Sequence, residues 1–354
     1  MNRVSPVRPD IQQMSGYTPG EQPDPKRPLI KLNTNENPFP PPKAVISAII
    51  DAANQTLRLY PEPSSRPVRE AAARAYGLQP EQIIAGNGSD DLLTMILRTF
   101  IDPGQIVAAP APTYSLYETL TKIQGGIFTA IPWSDDLSLP TQALLQIQAK
   151  VIFVVRPNAP TGHMVPLTAI AELCKKTSGV VVLDEAYVDF ANDNGLPLLK
   201  DHHNLIITRT FSKSLSLAGL RVGLGFMHPQ IAQEMHKVRD SYNLDRLSQA
   251  GALAALNNLD QFQPGIEAIC QERKRLTQEL RNRGFTVADS QANFVLATVP
   301  KNGLTAAQWL STLKEKGYLV RYFGSEPSLM NKIRITVGTQ EEMNGFLTAV
   351  DALL

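Results

Sequence analysis

The residues best suited to chemistry lie in the segment TRTFSKSLSLAGLRVG at 208–223, where a lysine follows hydroxyl-bearing residues. Thr210, Ser212 and Arg221 supply hydroxyls and a guanidinium fork, the groups that bind a phosphate monoester. Lys213 inside such a phosphate site is placed to form a Schiff base with an aldehyde on the same ligand. The alternative is a solvated surface lysine beside ordinary turn residues, and the segment by itself leaves both interpretations open.

A second polar group follows the apolar run of VVVLDEAYVDF at 180–190. Asp184 lies at the predicted carboxyl end of a strand, where open α/β sheets bind ligands. A carboxylate there could pair with a protonated pyridine nitrogen, and the protonated ring would take up the electrons of a carbanion. Tyr187 could hydrogen-bond the phenolic oxygen of the same ring. The alternatives for the acidic residue are a helix cap and a metal-binding acid of a nucleotide enzyme.

Two turns could complete the same site. Asn158, in VIFVVRPNAPTG at 151–162, follows a buried strand, and its amide could also donate to the phenolic oxygen. Ser89 and Asp90, in AGNGSDDLL at 85–93, begin a helix whose backbone N–H groups would bind an anion. The alternatives are a simple Asn-Ala-Pro-Thr-Gly turn and a serine-capped helix without a ligand.

An arginine near the C-terminus indicates a second anion site. Arg334 lies between isoleucines in the predicted strand KIRITVG at 332–338, where a buried guanidinium needs a substrate anion or an internal acid. Further candidates, each with an alternative interpretation as a packing or turn residue, are Tyr17, Tyr60, Tyr114 and Arg321.

The elements that must position these residues have an α/β pattern. Apolar runs rich in valine and isoleucine occur at 151–155, 180–184 and 205–210, and further runs are IVAAP and IIAGN. Such runs are typical of strands buried on both faces, and helical stretches lie between several of them. The predicted fold class is therefore α/β, with a mostly parallel central sheet flanked by helices.

Changes in composition and in predicted secondary structure divide the chain into three predicted parts. Residues 1–41 are proline-rich and predict an extended arm that packs on its own body or on a neighbouring subunit. Residues 42–242 carry the α/β pattern and form a large cofactor-binding domain. Residues 243–354 predict a smaller α+β domain with the strands NFVLATV, YLVRYF and KIRITVG and a final helix from near Glu341.

Composition excludes several classes of function. The 354 residues are 43% apolar and 19% charged, with 34 basic against 33 acidic side chains. No basic tract indicates nucleic acid, and no apolar run is long enough for a membrane span. The two cysteines, Cys174 and Cys270, form neither a disulfide framework nor a metal site. We expect a cytoplasmic protein that binds small molecules and no metal, nucleic acid or membrane.

The order of these motifs resembles that of a known family. GNGSD, PTYSLY, RPNAPTG, LDEAY, SKSLSLAGLR and RITVG are similar, in this order, to segments of the class I and II aminotransferases of pyridoxal-phosphate fold type I. The resemblance runs from about Asn33 to the C-terminus. Within the family the chain most resembles the histidinol-phosphate aminotransferases, through NTNENPFPPP, RLYPEPSS, LDEAYVDF, YNLDRLSQA and VRYFGSEPSLMNKIRITVGT.

The resemblance implies a role for each candidate residue. The cofactor would be pyridoxal 5′-phosphate, with Lys213 as its Schiff-base lysine, Asp184 at the pyridine nitrogen and Tyr187 at the phenolic oxygen. The other cofactor-binding residues would be Asn158 at the phenolic oxygen, Tyr114 stacked on the ring, and Ser89, Asp90, Thr210, Ser212, Arg221 and Tyr60 of the partner subunit at the phosphate. The substrate-binding residues would be Arg334, Arg321 and Tyr17.

The implied reaction is transfer of an amino group between L-histidinol phosphate and 2-oxoglutarate, a step of histidine biosynthesis, by a homodimer with shared active sites. Arg156 and Ala159 depart from the usual Asn-Pro-Asn-Asn-Pro-Thr-Gly of the family, and Arg156 adds a charge near the site. The alternatives are a threonine-phosphate decarboxylase-like lyase and an aromatic amino acid aminotransferase. A cofactor-binding regulatory domain would need an appended DNA-binding module, for which the chain has neither the room nor the charge.

Overall fold

The computed structural model describes residues 6–354. Helices are distributed from the beginning to the end of this range. Residues 1–5 of the predicted arm lie outside the described part. No helix within it combines the length and apolar character needed to cross a membrane. The α-helices are α1 (Pro9–Gln13), α2 (Lys43–Ala52), α3 (Arg66–Tyr76), α4 (Ser89–Phe100), α5 (Leu116–Gln124), α6 (Thr141–Gln146), α7 (Leu167–Lys176), α8 (Pro229–Val238), α9 (Arg246–Leu256), α10 (Gln263–Asn282), α11 (Ala306–Glu315) and α12 (Gln340–Asp351).

The strands form three sheets within residues 6–354. The strands are β1 (Ile30–Lys31), β2 (Ile83–Asn87), β3 (Ile106–Ala111), β4 (Ile127–Pro132), β5 (Val151–Val155), β6 (Val180–Asp184), β7 (Leu205–Thr210), β8 (Val222–Met227), β9 (Thr286–Val287), β10 (Phe294–Thr298), β11 (Tyr318–Leu319), β12 (Arg321–Tyr322) and β13 (Lys332–Thr336).

The large sheet has the order β2-β8-β7-β6-β5-β3-β4. The pairs from β7 through β6, β5 and β3 to β4 are parallel, whereas β8 runs antiparallel to both β7 and β2. Every residue of β5, β6 and β7 is buried, since helices cover both faces. The predicted mostly parallel sheet flanked by helices is therefore confirmed.

The smaller sheet is antiparallel, with the order β12-β13-β10-β9. The segment YLVRYF, predicted as one strand, is two short strands separated by Val320. β11 pairs with β1, whereas β12 pairs with β13, so the segment contributes to two different sheets and breaks where it passes between them. Helix α12 begins at Gln340, and Thr339 caps it by accepting a hydrogen bond from the N–H of Glu342.

The proline-rich arm packs on the body of its own chain. β1 pairs in parallel with β11, which fixes the end of the arm beside the smaller sheet. Asn33 Nδ2 donates to the carbonyl of Glu21 at 2.8 Å, and Glu21 pairs with Lys314 at 2.5 Å. The division into 1–41, 42–242 and 243–354 stays a prediction, and α9, just beyond the proposed second boundary, packs against α2 and α3.

A buried ion pair joins the carboxyl ends of β6 and β7. Arg209 donates from Nε and Nη2 to Glu185 Oε2 at 3.0 and 2.9 Å, and both side chains are almost fully buried. The N–H of Gly195 donates to the other oxygen of Glu185 at 2.5 Å. The Arg209 guanidinium also lies over the ring of Tyr76, 5.1 Å from its centroid. The pair is thus enclosed by partners that satisfy it.

We predict that Glu185→Leu lowers the free energy of unfolding by about 3–5 kcal/mol, because it leaves the Arg209 charge buried without a partner. Urea denaturation at one fixed protein concentration measures this loss. The matched control is the double variant Glu185→Leu, Arg209→Met, which removes both charges and should recover much of the stability. A double variant less stable than Glu185→Leu alone would contradict the explanation.

Candidate active site

A cavity of about 340 Å³ opens at the carboxyl ends of β5, β6 and β7. It lies where parallel sheets bind ligands. Twelve of the fourteen predicted site residues line it; Asn158 and Tyr60 do not. The twelve are Tyr17, Ser89, Asp90, Tyr114, Asp184, Tyr187, Thr210, Ser212, Lys213, Arg221, Arg321 and Arg334.

Lys213 lies in the turn after β7, with its amine directed at the N-terminal segment. Its Nζ donates to the carbonyl of Thr34 at 2.8 Å. Asn37 Nδ2 donates to the carbonyls of Lys213 and Ser214 at 3.0 and 3.1 Å, which holds the lysine backbone in place. Burial of the amine, reinforced by the charge of Arg334, lowers the pKa of Lys213 to about 8. The amine is still mostly protonated at pH 7, but its neutral, nucleophilic fraction is much larger than that of an ordinary lysine.

Asp184 ends β6 and presents its carboxylate to the cavity wall. Tyr117 Oη donates to Asp184 Oδ2 at 2.7 Å, and the N–H of Ala186 donates to Oδ1 at 3.1 Å. Burial raises the pKa of Asp184 to about 6, while the hydrogen bonds from Tyr117 and Ala186 oppose the rise. Above that pH the buried carboxylate is an anion without a cationic partner among the hydrogen-bonding groups around it. It is suited to a protonated nitrogen of a bound heterocycle.

One end of the cavity is built to bind an anion. Gly88 precedes α4 with φ +83° and supplies no side-chain cap, so within residues 6–354 the first N–H groups of α4, at Ser89 and Asp90, are free to bind a ligand. A Cβ on Gly223 would lie 2.6 Å from the carbonyl carbon of Gly88, so only glycine allows this close approach. The two glycines shape a cradle for a phosphate.

Side chains complete this anion site. Arg221 has a left-handed backbone, φ +53°, and its guanidinium contacts Ser212 Oγ at 3.3 Å and Asp90 Oδ2 at 3.2 Å. Thr210 Oγ1 donates to Ser212 Oγ at 3.0 Å. Tyr114 Oη donates to Asp90 Oδ1 at 3.3 Å. Two hydroxyls, a guanidinium and a helix N-terminus converge here, which is the donor set that a phosphate monoester requires.

Two more arginines line the cavity and make a separate set of contacts. Arg334 Nη2 donates to the carbonyl of Asn33 at 2.8 Å, and its guanidinium lies between the rings of Phe294 and Phe323, 5.1 and 5.4 Å from their centroids. Its Nε is buried without a hydrogen-bond partner among residues 6–354. Arg321 donates to the carbonyls of Thr18 and Pro19, each at 3.5 Å, and lies over the ring of Phe323, 5.6 Å from its centroid. An unpaired donor in an apolar clamp indicates a second anion site.

Asn158 and Tyr60 lie outside the lining of the cavity. Asn158 Nδ2 donates to the carbonyl of Pro112 at 3.2 Å and to Thr161 Oγ1 at 2.8 Å, while its buried Oδ1 has no partner among residues 6–354. Tyr60 is 76% exposed and stacks on Tyr242, with 4.3 Å between ring centroids. Their proposed contacts, with the phenolic oxygen and from the partner subunit, stay predictions.

The departure at Arg156 has a structural explanation. Arg156 is buried, and its Nε donates to the carbonyl of Val165 at 2.8 Å. Its Nη2 pairs with Asp193 at 2.5 Å. Arg156 does not line the cavity, whereas Ala159 does. The extra charge therefore fastens the loop that contains Asp193 and is not part of the ligand-binding wall.

Several residues that sequence reasoning did not assign also shape the site. Tyr117 binds Asp184, Asn37 holds the Lys213 turn, and Asn35 Nδ2 donates to Tyr187 Oη at 3.0 Å. Tyr117 belongs to PTYSLY and the two asparagines to NTNENPFPPP, so both motifs were noted without roles for these residues. Their partners are 67 to 176 positions away in the chain, a separation at which local pattern carries no information.

Comparison with known proteins gives consistent relatives. The profile of the aminotransferase class I and II family matches residues 27–350. A histidinol-phosphate aminotransferase of Microcystis aeruginosa is 45% identical over 349 residues, which cover 99% of this chain and 99% of the relative.

Solved structures have the same architecture. Histidinol-phosphate aminotransferase of Sinorhizobium meliloti, in complex with pyridoxal-5′-phosphate, has a TM-score of 0.89 and 28% identity, covering 99% of this chain and 98% of its own. Aspartate aminotransferase of Thermus thermophilus with maleate has a TM-score of 0.85, with 20% identity, and covers 99% of this chain and 100% of its own. At that identity the second likeness shows the fold alone, which is the aspartate-aminotransferase-like fold type I.

We predict that the Lys213 amine of the ligand-free protein reacts with a small acylating reagent with half-maximal rate near pH 8, because its pKa is lowered to about 8. Mass spectrometry of the peptide that contains Lys213 gives the rate at each pH. Arg334→Gln is the control, since removing the neighbouring positive charge should move the midpoint to higher pH. A wild-type midpoint near the ordinary lysine value of about 10.4 would refute the prediction.

Proposed function

The chain belongs to the class I and II aminotransferase family, and we propose that it transfers an amino group between L-histidinol phosphate and 2-oxoglutarate with pyridoxal 5′-phosphate as cofactor. One observation carries the proposal: a lysine amine and a buried carboxylate line a single cavity together with two separate sets of anion-binding groups, one around Arg221 and one around Arg334. One anion site suits the cofactor phosphate and the other the substrate phosphate. The near-full-length relative at 45% identity supports the choice of substrate.

The cofactor fits the residues present. When bound, pyridoxal phosphate supplies an aldehyde and a protonated ring that takes up electrons. Asp184, ionised above about pH 6, would hold the proton on the ring nitrogen, and Tyr117 keeps its carboxylate in place. Tyr187 and Asn158 would bind the phenolic oxygen, and Tyr114 would stack on the ring.

The phosphate would occupy the cradle described above. It would accept hydrogen bonds from the N–H groups of Ser89 and Asp90 and from Arg221. Thr210, Ser212 and Tyr60 of the partner subunit would supply the remaining hydroxyl donors. Arg221 now pairs with Asp90 on the half-exposed rim of the cavity, so its guanidinium could turn to an incoming phosphate at little cost.

Lys213 moves the proton in this proposal. With the amino substrate bound to the cofactor, the free Nζ of Lys213 would accept the proton from the substrate α-carbon and hold it for return as general acid. A pKa of about 8 suits both steps, since the neutral and protonated forms are then both accessible near neutral pH. The carbonyls of Lys213 and Ser214, held by Asn37, keep the amine within reach.

Arg334, with Arg321 and Tyr17, would bind the substrate anion. The first half-reaction brings a phosphate and the second a carboxylate, and a guanidinium fork binds either in bidentate geometry. The free Nε of Arg334 supports this role, because a buried donor without a partner gains most from an anion. The clamp of Phe294 and Phe323 holds the guanidinium in place.

We predict that the protein with pyridoxal phosphate has a visible absorbance band, that L-histidinol phosphate converts it to the pyridoxamine form, and that 2-oxoglutarate restores it. Lys213→Ala should lower turnover by at least about 10²-fold, since it removes the general base, and should leave the protein folded. Threonine phosphate and phenylalanine are the comparison substrates. A band that responds to one of these and not to histidinol phosphate would assign the reaction to a lyase or an aromatic aminotransferase. No band at all would refute the role of Lys213.

The proposal includes a homodimer that acts in the cytoplasm. Ile46, Ile50, Leu57, Leu59 and Tyr60 are exposed apolar side chains on α2 and the turn after it. Several exposed apolar side chains in one short segment of the chain are consistent with a protein interface. This segment includes the tyrosine expected to serve the neighbouring site. Both cysteines are free thiols, as expected in a reducing compartment.

We predict that Ile50→Glu converts the dimer to monomers, because the substitution buries a charge in the proposed interface. Sedimentation velocity at micromolar concentration measures the change in mass. Ile127→Glu is the matched control, since Ile127 is an exposed isoleucine on the edge strand β4, away from this surface. A monomeric wild-type protein, or dissociation only in the control variant, would contradict the proposed interface.

A further inference from the structure

Asn35 has a left-handed backbone conformation that residues other than glycine rarely adopt. Its φ is +57°, and the residue is 1% exposed, so a left-handed asparagine is held inside the protein beside the cavity. Asparagine tolerates this region better than most residues, yet the conformation still requires support from its surroundings. Asn293 supplies part of that support by donating from Nδ2 to the carbonyl of Asn35 at 3.0 Å.

Two hydrogen bonds to Thr336 determine which way the Asn35 amide points. The N–H of Asn35 donates to Thr336 Oγ1 at 3.0 Å, so the hydroxyl of Thr336 serves as an acceptor there. The same hydroxyl donates its own hydrogen to Asn35 Oδ1 at 3.0 Å. The amide oxygen is therefore committed to Thr336, and the NH₂ group must face the other way.

The group on that other side is the hydroxyl of Tyr187. Asn35 Nδ2 donates to Tyr187 Oη at 3.0 Å, and this is the one side-chain hydrogen bond of Tyr187 Oη within residues 6–354. Because the oxygen accepts from Asn35, the hydrogen of Tyr187 is left for an acceptor elsewhere. Tyr187 and Asn35 both line the cavity, and Phe294 packs edge-on against the tyrosine ring at 5.1 Å, which fixes its position.

We propose that Asn35 is a positioning residue: it occupies the acceptor side of the Tyr187 hydroxyl and so makes Tyr187 donate its hydrogen into the cavity. The inference rests on the proposed function, in which the acceptor is the phenolic oxygen of the cofactor. Without Asn35 the hydroxyl could rotate and present a lone pair to that oxygen. With it, the donor direction is set before the cofactor arrives, and no ordering is needed at the moment of binding.

The consequence is a change in the acidity of the bound cofactor. A hydrogen bond donated to the phenolic oxygen stabilises the anionic form of that oxygen. It therefore lowers the pKa of the Schiff-base linkage between the cofactor and Lys213. Loss of that hydrogen bond raises the pKa. The visible absorbance of the bound cofactor reports this protonation directly, so the effect is measured without turnover.

The sharpest test is Asn35→Asp in the cofactor-loaded protein. The introduced carboxylate has the shape of the amide and keeps the bond from Thr336, but it turns a donor into an acceptor. Tyr187 then donates to the carboxylate and no longer to the cofactor. We expect the pKa from the visible band to rise, and part of this rise will come from the added charge alone.

Tyr187→Phe separates the two causes. In that background the charge effect of Asn35→Asp persists, whereas the effect through the hydroxyl is absent. We expect Asn35→Asp to raise the pKa read from the visible band in both backgrounds. The rise should be about one pKa unit larger when Tyr187 is present than in the Tyr187→Phe variant. Equal shifts in the two backgrounds, or no shift in either, would overturn the proposal.

Asn35→Gly provides a second test in case Asn35→Asp does not fold. Glycine adopts φ +57° without strain and adds no charge, so the backbone is kept while the amide is lost. We expect a smaller rise in pKa than with Asn35→Asp, and no rise when it is combined with Tyr187→Phe. A rise that persists in the combined variant would overturn the proposal. If wild-type protein shows no visible band, the proposed function itself fails, whereas a normal band without this coupling refutes the role of Asn35 alone.

Discussion

The buried ion pair of Glu185 and Arg209 is the contact on which the active-site wall depends. Glu185 follows Asp184 and Arg209 precedes Thr210, so adjacent residues of the chain face opposite ways, one to the cavity and one to the ion pair. Asp189 extends the contact by accepting from the hydroxyl of Ser214, which follows Lys213. Because a buried charge pair is stable only in a well-satisfied geometry, it keeps the ends of β6 and β7 and the lysine turn in fixed positions.

Buried strands made of continuous runs of valine, isoleucine and leucine could be predicted from the sequence, whereas a partly exposed edge strand and a glycine-containing strand could not. β5, β6 and β7 are runs of apolar residues and were predicted where the structure has them. β4 lies at the edge of the sheet and mixes exposed with buried residues. β8 contains two glycines, and its antiparallel direction depends on its neighbours. The sequence pattern therefore predicted the fold class correctly, although it did not identify β4 and β8.

A site residue could be predicted where one short segment contains both a reactive side chain and the strand that positions it. Asp184 ends β6, Lys213 lies in the turn after β7, and Arg221 directly precedes β8. All three line the cavity. Asn35 and Tyr117 act through partners that only the folded chain brings together. The orientation of Asn35 depends on Thr336, 301 residues later, and no local pattern predicts such a contact.

The pairing of the two ends of the chain at the cavity also has a consequence for biosynthesis. β1 pairs with β11, and both Asn33 and Asn35 bind side chains of β13. Domains generally fold as units during synthesis, so the large sheet can form from residues 83–227 while translation continues. The part of the cavity that includes Arg334 is completed only when β13 has left the ribosome. A chain whose translation stops before β13 would carry Lys213 beside the large sheet but would lack Arg334 and Thr336, and its cavity would be incomplete.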